Sequence, residues 1–215
     1  MKKALLIFGF LFSLIFYVSG QVEYKIGEES TMTISGTSTI HDWTSTVNEI
    51  LGTYTFKENV INEKFPKSGS IVEYVQMVVP VLSIESQRGA TMDNKTYNAL
   101  KSEEHPNIVF EVEQDKITGR NETNPITFQL EVTGNLTIAG QTKEVSLTLD
   151  GQKIDQNKLI FTGSFPIDMV TYEIKPPTAM FGQIKTGKDV NINFELNLIK
   201  QSHNGSSKAL IKIAL

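Results

Sequence analysis

The stretch Val190-Asn191-Ile192-Asn193-Phe194-Glu195-Leu196-Asn197-Leu198 alternates apolar and polar residues without a break. Side chains on a strand point to opposite faces in turn, so this run is a strand with one dry face and one wet face. Upstream, Ile126, Phe128, Leu130, Val132, Leu136 and Ile138 fall on one parity, with Thr127, Gln129, Glu131, Asn135 and Thr137 on the other. Shorter pieces agree: Met32/Ile34, Tyr54/Phe56, Ile108/Phe110/Val112, Val145/Leu147/Leu149 and Leu159/Phe161/Phe165. Turns rich in Pro, Gly and Asn separate them, as in an antiparallel all-β domain. At about 3.3 Å per residue, residues 126–138 would span roughly 40 Å, far beyond an ordinary strand. So long a strand must coil, and Gly134 is a natural place to bend. Long, coiled, one-face-dry strands suit a closed barrel, which leaves no exposed edges. The expectation is an extended antiparallel barrel of eight strands rather than a sandwich.

One hairpin can be registered by hand. A type II′ turn at Gly140-Gln141 would set Leu136 against Val145, Val132 against Leu149 and Gly134 against Leu147. A turn centred on Ala139-Gly140 preserves the alternation equally well. The position of the glycine favours the first. Two regions depart from the β pattern. Residues 91–101 read as a short helix, with Thr91 as its cap, Asp93 near its positive end and Met92, Thr96, Ala99 and Leu100 on the face toward the barrel. Residues 166–189 carry Pro176-Pro177, Gly182 and Gly187 with little patterning, and read as an irregular lid or binding loop.

The chain has 215 residues, no cysteine, and 20 basic against 24 acidic side chains. Its net charge of −4 argues against a nucleic-acid partner. Without cysteine there is no disulfide framework, thiolate metal site or cysteine nucleophile. Lys2 and Lys3 followed by the apolar run 4–18 and Val18-Ser19-Gly20 have the form of a signal peptide, residues 1–20, cleaved before Gln21. An uncleaved anchor is the alternative, although a span needs about 20 apolar residues. Nothing after Gln21 is long enough to cross a membrane as a helix. The barrel domain is then 21–200, and 201–215 forms a tail with no derivable role. Export to the periplasm or the exterior follows.

Searches for chemistry return little. There is no G-x-S-x-G, H-E-x-x-H, EF-hand loop or G-x-G-x-x-G. The segment 182–189 resembles a phosphate loop, but it ends in Asp189 and precedes a strand instead of a helix. His41-Asp42 could serve as a base or ligand, or simply as a turn cluster in which Asp42 caps backbone amides. No metal site or cofactor is expected, and no catalytic group is assigned. The barrel interior remains, where dry-face aromatic residues either fill the middle or line a ligand cavity.

Several blocks together resemble the YceI-like family: Ser83-Ile84-Glu85-Ser86, residues 92–100, His105-Pro106-Asn107-Ile108-Val109-Phe110, residues 134–143 and residues 167–198. The resemblance implies a lipocalin-like barrel, usually exported to the periplasm, that binds polyisoprenoid or other long amphiphilic lipids in its lumen. Phe110, Phe128, Phe161, Phe165 and Phe194 lie on dry-face parities with Phe56 and Tyr172 as neighbours, and these, together with Leu130 and Phe181, are the expected lumen positions. The mouth or polar end would carry His41, Trp43, Arg88, Met92, Asp93 and Tyr97. Many members have arginine-aspartate-x-histidine-leucine at the helix start. Here Met92 replaces the arginine and Lys95 stands near the histidine place, with Arg88 nearby as a substitute charge. The competing readings are an interaction or stress-response module with a packed barrel, and a hydrolase using His41 and Asp42.

Overall fold

A computed structural model describes residues 20–62, 65–122 and 125–202. The expected leader 1–20 lies almost wholly outside them, as does the tail beyond residue 202. Strands dominate: β1 (Gln21–Ile26), β2 (Thr31–Ser38), β3 (Trp43–Val47), β4 (Leu51–Lys57), β5 (Val72–Pro80) and β6 (Ile84–Ser86) precede the helix α1 (Ala90–Ala99). After it come β7 (Asn107–Asn121), β8 (Ile126–Ile138), β9 (Gln141–Lys153), β10 (Lys158–Asp168), the two-residue β11 (Thr178–Ala179) and β12 (Ile184–Lys200).

The first six strands are three wall positions, each broken once. β1 and β2 both pair with β12, Tyr24 opposite Lys200 and Met32 opposite Phe194. Between them residues 27–30 leave the ladder and fold over Asn197, whose backbone and side chain bond Gly27, Glu29 and Ser30. This explains why Asn197, on the wet parity, is buried. β4 pairs with β1 and β3 with β2, while β5 pairs with β4 and β6 with β3. With β7, β8, β9, β10 and β12 this makes a closed eight-stranded antiparallel barrel that follows the chain in order, and β11 adds a short hairpin on β12. β12 can serve both halves because it is 17 residues long, and it contains the run 190–198 whose alternation is unbroken in the sequence.

Closure differs between the ends. At the β1 end the wall closes through β1, which pairs with both β4 and β12, while the residues before β5 join β7 there by the isolated bridge Gly69–Ile117. At the other end β5 leaves β7 at the pair Pro80–Asn107, and β6 pairs only with β3. Helix α1 packs beside β6, and Ala99 and Leu100 behind it join the apolar cluster that includes Ile108 of β7.

Four expectations change. The β8–β9 turn is centred on Ala139-Gly140, with φ of 49° and 82°. Two left-handed residues make the type I′ turn, whose twist matches that of the strands. The pairs are therefore Leu136–Lys143, Gly134–Val145 and Val132–Leu147, not those set by a turn at Gly140-Gln141. Gly134 is not a bend: β8 stays in register with β9 throughout, and the irregularities lie across from it in β7, after Val112 and after Ile117. Gly134 instead leaves room for the Phe110 ring and the Glu111 carbonyl. The helix begins at Ala90 behind Gly89 (φ 78°), without a side-chain cap from Thr91. Asp93 accepts a bond from the Ser86 amide at 2.7 Å, tying helix to β6. The expected lid is shorter than 166–189, because β10 extends to Asp168 and β12 starts at Ile184. Much of what remains is fixed: a 3-10 turn (Met169–Tyr172) buries Met169 and Tyr172, and Ile174 follows them into the core. The Asp168 carboxylate accepts from the Val170 amide and pairs with Lys188, and the Lys188 bond leads the causes that hold its pKa low.

A lumen with a packed floor and an open mouth

The dry faces meet inside the barrel in two different ways. At the β1 end the lumen is filled. Tyr24, Phe56, Phe161, Phe128 and Phe65 form a chain of rings, with centroids 5.5, 5.8, 5.8 and 4.7 Å apart in that order. Val60, Ile71, Ile117 and Leu159 close around them, each 2% exposed or less. Burying one such side chain contributes about 1.5–3 kcal/mol. Phe65 comes from the segment between β4 and β5 and plugs the floor from below. Its underside is Lys153, an inward residue of β9 whose Nζ donates to the Asn62 carbonyl at 2.6 Å and lies 5.6 Å from the Phe65 ring centre. Burial, then the neighbouring Arg120 charge, lowers the Lys153 pKa. The segment is further held by Asp115, which accepts from the Ile71 amide (2.7 Å) and the Ser70 hydroxyl (2.5 Å).

Above the floor the lumen opens. A cavity of about 130 Å³ is walled entirely by apolar residues, among them Leu130, Phe110, Phe161, Phe165 and Phe194. Ile34, Ile108 and Ile192 form its upper limit and also line a larger chamber of about 540 Å³ at the mouth. The chamber has an apolar base (Ile84, Leu100, Ile138, Ile167, Met169) and a polar rim (Ser38, His41, Asp42, Arg88, Lys95, Thr96). Met92, Thr96, Ala99 and Leu100 are the α1 face that looks into it, the face set by their spacing.

Several inward rings lie flat across a glycine on the neighbouring strand. A Cβ at Gly163 would strike Phe194, one at Gly151 would strike Phe128, and one at Gly36 would strike the Trp43 indole. Trp43 is further fixed by its Nε1, which donates to the Thr37 carbonyl at 3.1 Å. This gives Trp43 a physical role: it forms the wall where the chamber meets the β2–β3 hairpin. In that hairpin the Ser38 hydroxyl, not Asp42, binds the turn amides of Ile40 and His41. The His41 ring contacts the Asp42 backbone carbonyl at 2.9 Å rather than its carboxylate, so the two side chains form no hydrogen-bonded dyad. Among the described residues no group of three His, Asp or Glu side chains is placed to hold a metal ion.

The positions expected to line the lumen therefore divide. Phe56 and Phe161 border both the packed floor and the cavity, and Phe110, Leu130, Phe165 and Phe194 line open space. Phe128 belongs to the floor, boxed in by Phe65, Phe161 and Gly151. Tyr172 is buried in the cap beside Leu136 and Ile138, outside the chamber lining. Phe181 is not in the lumen at all. It is fully solvent-exposed, because Met180, Phe181 and Gly182 all take left-handed backbone conformations that turn the chain outward. At the mouth His41, Trp43, Arg88 and Met92 line the chamber, whereas Asp93 is engaged by Ser86 and Tyr97 donates to the Leu82 carbonyl outside it. Sequence reasoning missed Phe65 and Lys153. Phe65 stands in an irregular Lys- and Pro-containing stretch with no periodicity, but Lys153 falls on the inward parity of Leu147 and Leu149.

Comparison with solved structures finds the same fold at low identity. A polyisoprenoid binding domain from Saccharophagus degradans, implicated in plant cell wall breakdown, aligns over 84% of this chain and 99% of its own, with a TM-score of 0.64 and 11% identity. BcnA of Burkholderia cenocepacia aligns over 80% and 98%, with a TM-score of 0.57 and 17% identity. The YCEI protein of Campylobacter jejuni aligns over 74% and 84%, with a TM-score of 0.51 and 17% identity. Among curated proteins no sequence matches this one. The sequence model of the YceI-like domain matches residues 24–198, which spans the barrel from β1 to the end of β12, and the chain belongs to that family.

Proposed function

We propose that this protein is exported and carries a polyisoprenoid or similar long-chain amphiphilic lipid, holding it without transforming it. The observation that carries the reading is a polar-rimmed chamber and a wholly apolar cavity that adjoin, with Ile34, Ile108 and Ile192 lining both. A lipid tail suits the inner cavity because no polar group there would be left unpaired. A polar end suits the rim, where Arg88 and Lys95 bring positive charge and Ser38, His41 and Thr96 bring hydrogen-bonding groups. The polyisoprenoid-binding relative supports the ligand class. Phe110, Phe165 and Phe194 would touch the tail.

The test is native mass spectrometry of protein purified without detergent. The expected spectrum contains a population heavier by one long-chain lipid, released on denaturation. A uniformly unliganded protein that takes up no long-chain lipid when offered one would support the packed-module reading instead. Export is tested separately by N-terminal sequencing of the secreted protein, which should begin at Gln21. Recovery of residues 1–20 in a membrane fraction would overturn cleavage.

A further inference from the structure

Two hairpin tips stand over the mouth. Ile40 crowns the β2–β3 turn, and Met180 and Phe181 crown the β11–β12 turn. They are joined, since the Thr39 amide donates to the Lys185 carbonyl at 3.0 Å and the Lys185 amide to the Thr39 hydroxyl at 3.3 Å. Phe181 is 109% exposed, Met180 65% and Ile40 61%. Val170, on the adjoining 3-10 turn, is also exposed. Single exposed apolar residues are ordinary, but a cluster gathered on one end marks an interaction surface. The backbone reinforces the point. Met180 and Phe181 are not glycine, yet both hold positive φ, a conformation that L residues avoid.

The surrounding charge indicates the partner. The hairpin that carries Met180 and Phe181 has Lys175 and Lys185 and no acidic residue between Glu173 and Asp189, and Arg88 and Lys95 stand on the chamber rim. Exposed large apolar side chains with lysines beside them are the composition that seats a protein in the interface of an anionic bilayer. The same hairpins line the chamber, through Ser38 and His41 on one and Pro177, Thr178, Ile184 and Thr186 on the other. We infer that the Ile40, Met180 and Phe181 tips form a docking surface for an anionic lipid bilayer, which sets the mouth of the barrel against the membrane.

The test is flotation of the isolated protein with vesicles of phosphatidylglycerol and phosphatidylcholine in equal parts, and with phosphatidylcholine alone. The protein should float with the mixed vesicles, less with the neutral ones, and less again in high salt. The double variant Met180→Asn/Phe181→Asn should bind at least about tenfold more weakly, as expected for removing one buried aromatic anchor. Asparagine tolerates positive φ, so the variant should melt no lower than the wild type. Lys185→Gln should weaken binding to the mixed vesicles alone. A double variant that floats like the wild type overturns the inference, and so does a wild type that floats with neither vesicle. Farnesol uptake from solution separates this from the carrier reading. Phe181 does not line the chamber, so the variant should take up farnesol like the wild type. A wild type that floats but takes up no farnesol leaves the docking surface standing and removes the cargo.

Discussion

Phe128 and Phe194 both point inward, and each lies across a glycine of the next strand, Gly151 and Gly163. Below Phe128 the chain supplies Phe65 and Phe161, and the space is filled. Beside Phe194 no such plug crosses the lumen, and the ring borders a cavity. The difference comes from what crosses the barrel rather than from the strands. A segment held by Asp115 and Lys153 brings a plug to the floor, while the mouth receives hairpins and a helix that stay at its edge. One barrel thus divides its dry faces between stability and capacity.

The largest test of this division is Phe128→Ala. Loss of a ring packed on three sides should cost about 3–5 kcal/mol in chemical denaturation, whereas Met92→Ala at the chamber should cost less than about 1 kcal/mol. Equal losses would erase the distinction between the two ends. Next comes insertion. Phe128→Trp overfills a close-packed site and should cost about 1–3 kcal/mol. Ile192→Trp has open space on either side and should cost little, yet it should block tail entry in a lipid titration. If Ile192→Trp proves the more destabilising, the throat is packed and the cavity reading fails.

At the mouth end, Gly140→Val should cost about 1–3 kcal/mol, because φ is 82° there and a Cβ would meet the His105 ring. An unchanged melting temperature would show that this turn relaxes freely. The smallest effect is expected at Tyr24. Its hydroxyl is buried without a partner, and burial, then the Asp155 charge, raises its pKa to about 12. A raised pKa means that Tyr24 contributes fully below its ordinary value of about 10, and that this contribution is lost as pH climbs through 12. Tyr24→Phe should therefore add about 1 kcal/mol at neutral pH and reduce the loss of stability above pH 10. A variant less stable than the wild type at neutral pH would mean that the hydroxyl has a partner in solution, such as water.

Much of the barrel could be read from the chain because period-two alternation is a local signal. The parities of β8 and β12 assign Phe128, Leu130, Phe194 and Leu196 to the inside correctly. Local signals cannot say whether an inward side chain meets a neighbour or a void, because that depends on a segment far away in sequence. Phe128 and Phe194 are alike in this respect. The β8–β9 register is not legible because both turns preserve parity, and the choice rests on φ at Ala139, a residue that does not advertise a left-handed conformation. Phe181 misled for a related reason: an aromatic residue near an apolar block reads as core unless the three-residue backbone reversal at 180–182 is known.

The split between β6 and β7 sets how the protein can deform. Like the upper stretch of β9 and β10, which pair only between 150–153 and 159–162, this seam has no ladder of backbone bonds to break. Across this seam the helix has no fully buried residue and is tied to the β6 side by Asp93 and Tyr97, while its link to β7 is the apolar contact of Ala99 and Leu100 near Ile108. A helix of ten residues has little stability of its own. Helix α1 and β6 can therefore part from β7 without breaking a backbone ladder. In hydrogen exchange the amides of α1 would then open long before those of β8 and β9, and the barrel could widen at its mouth while its floor kept its shape.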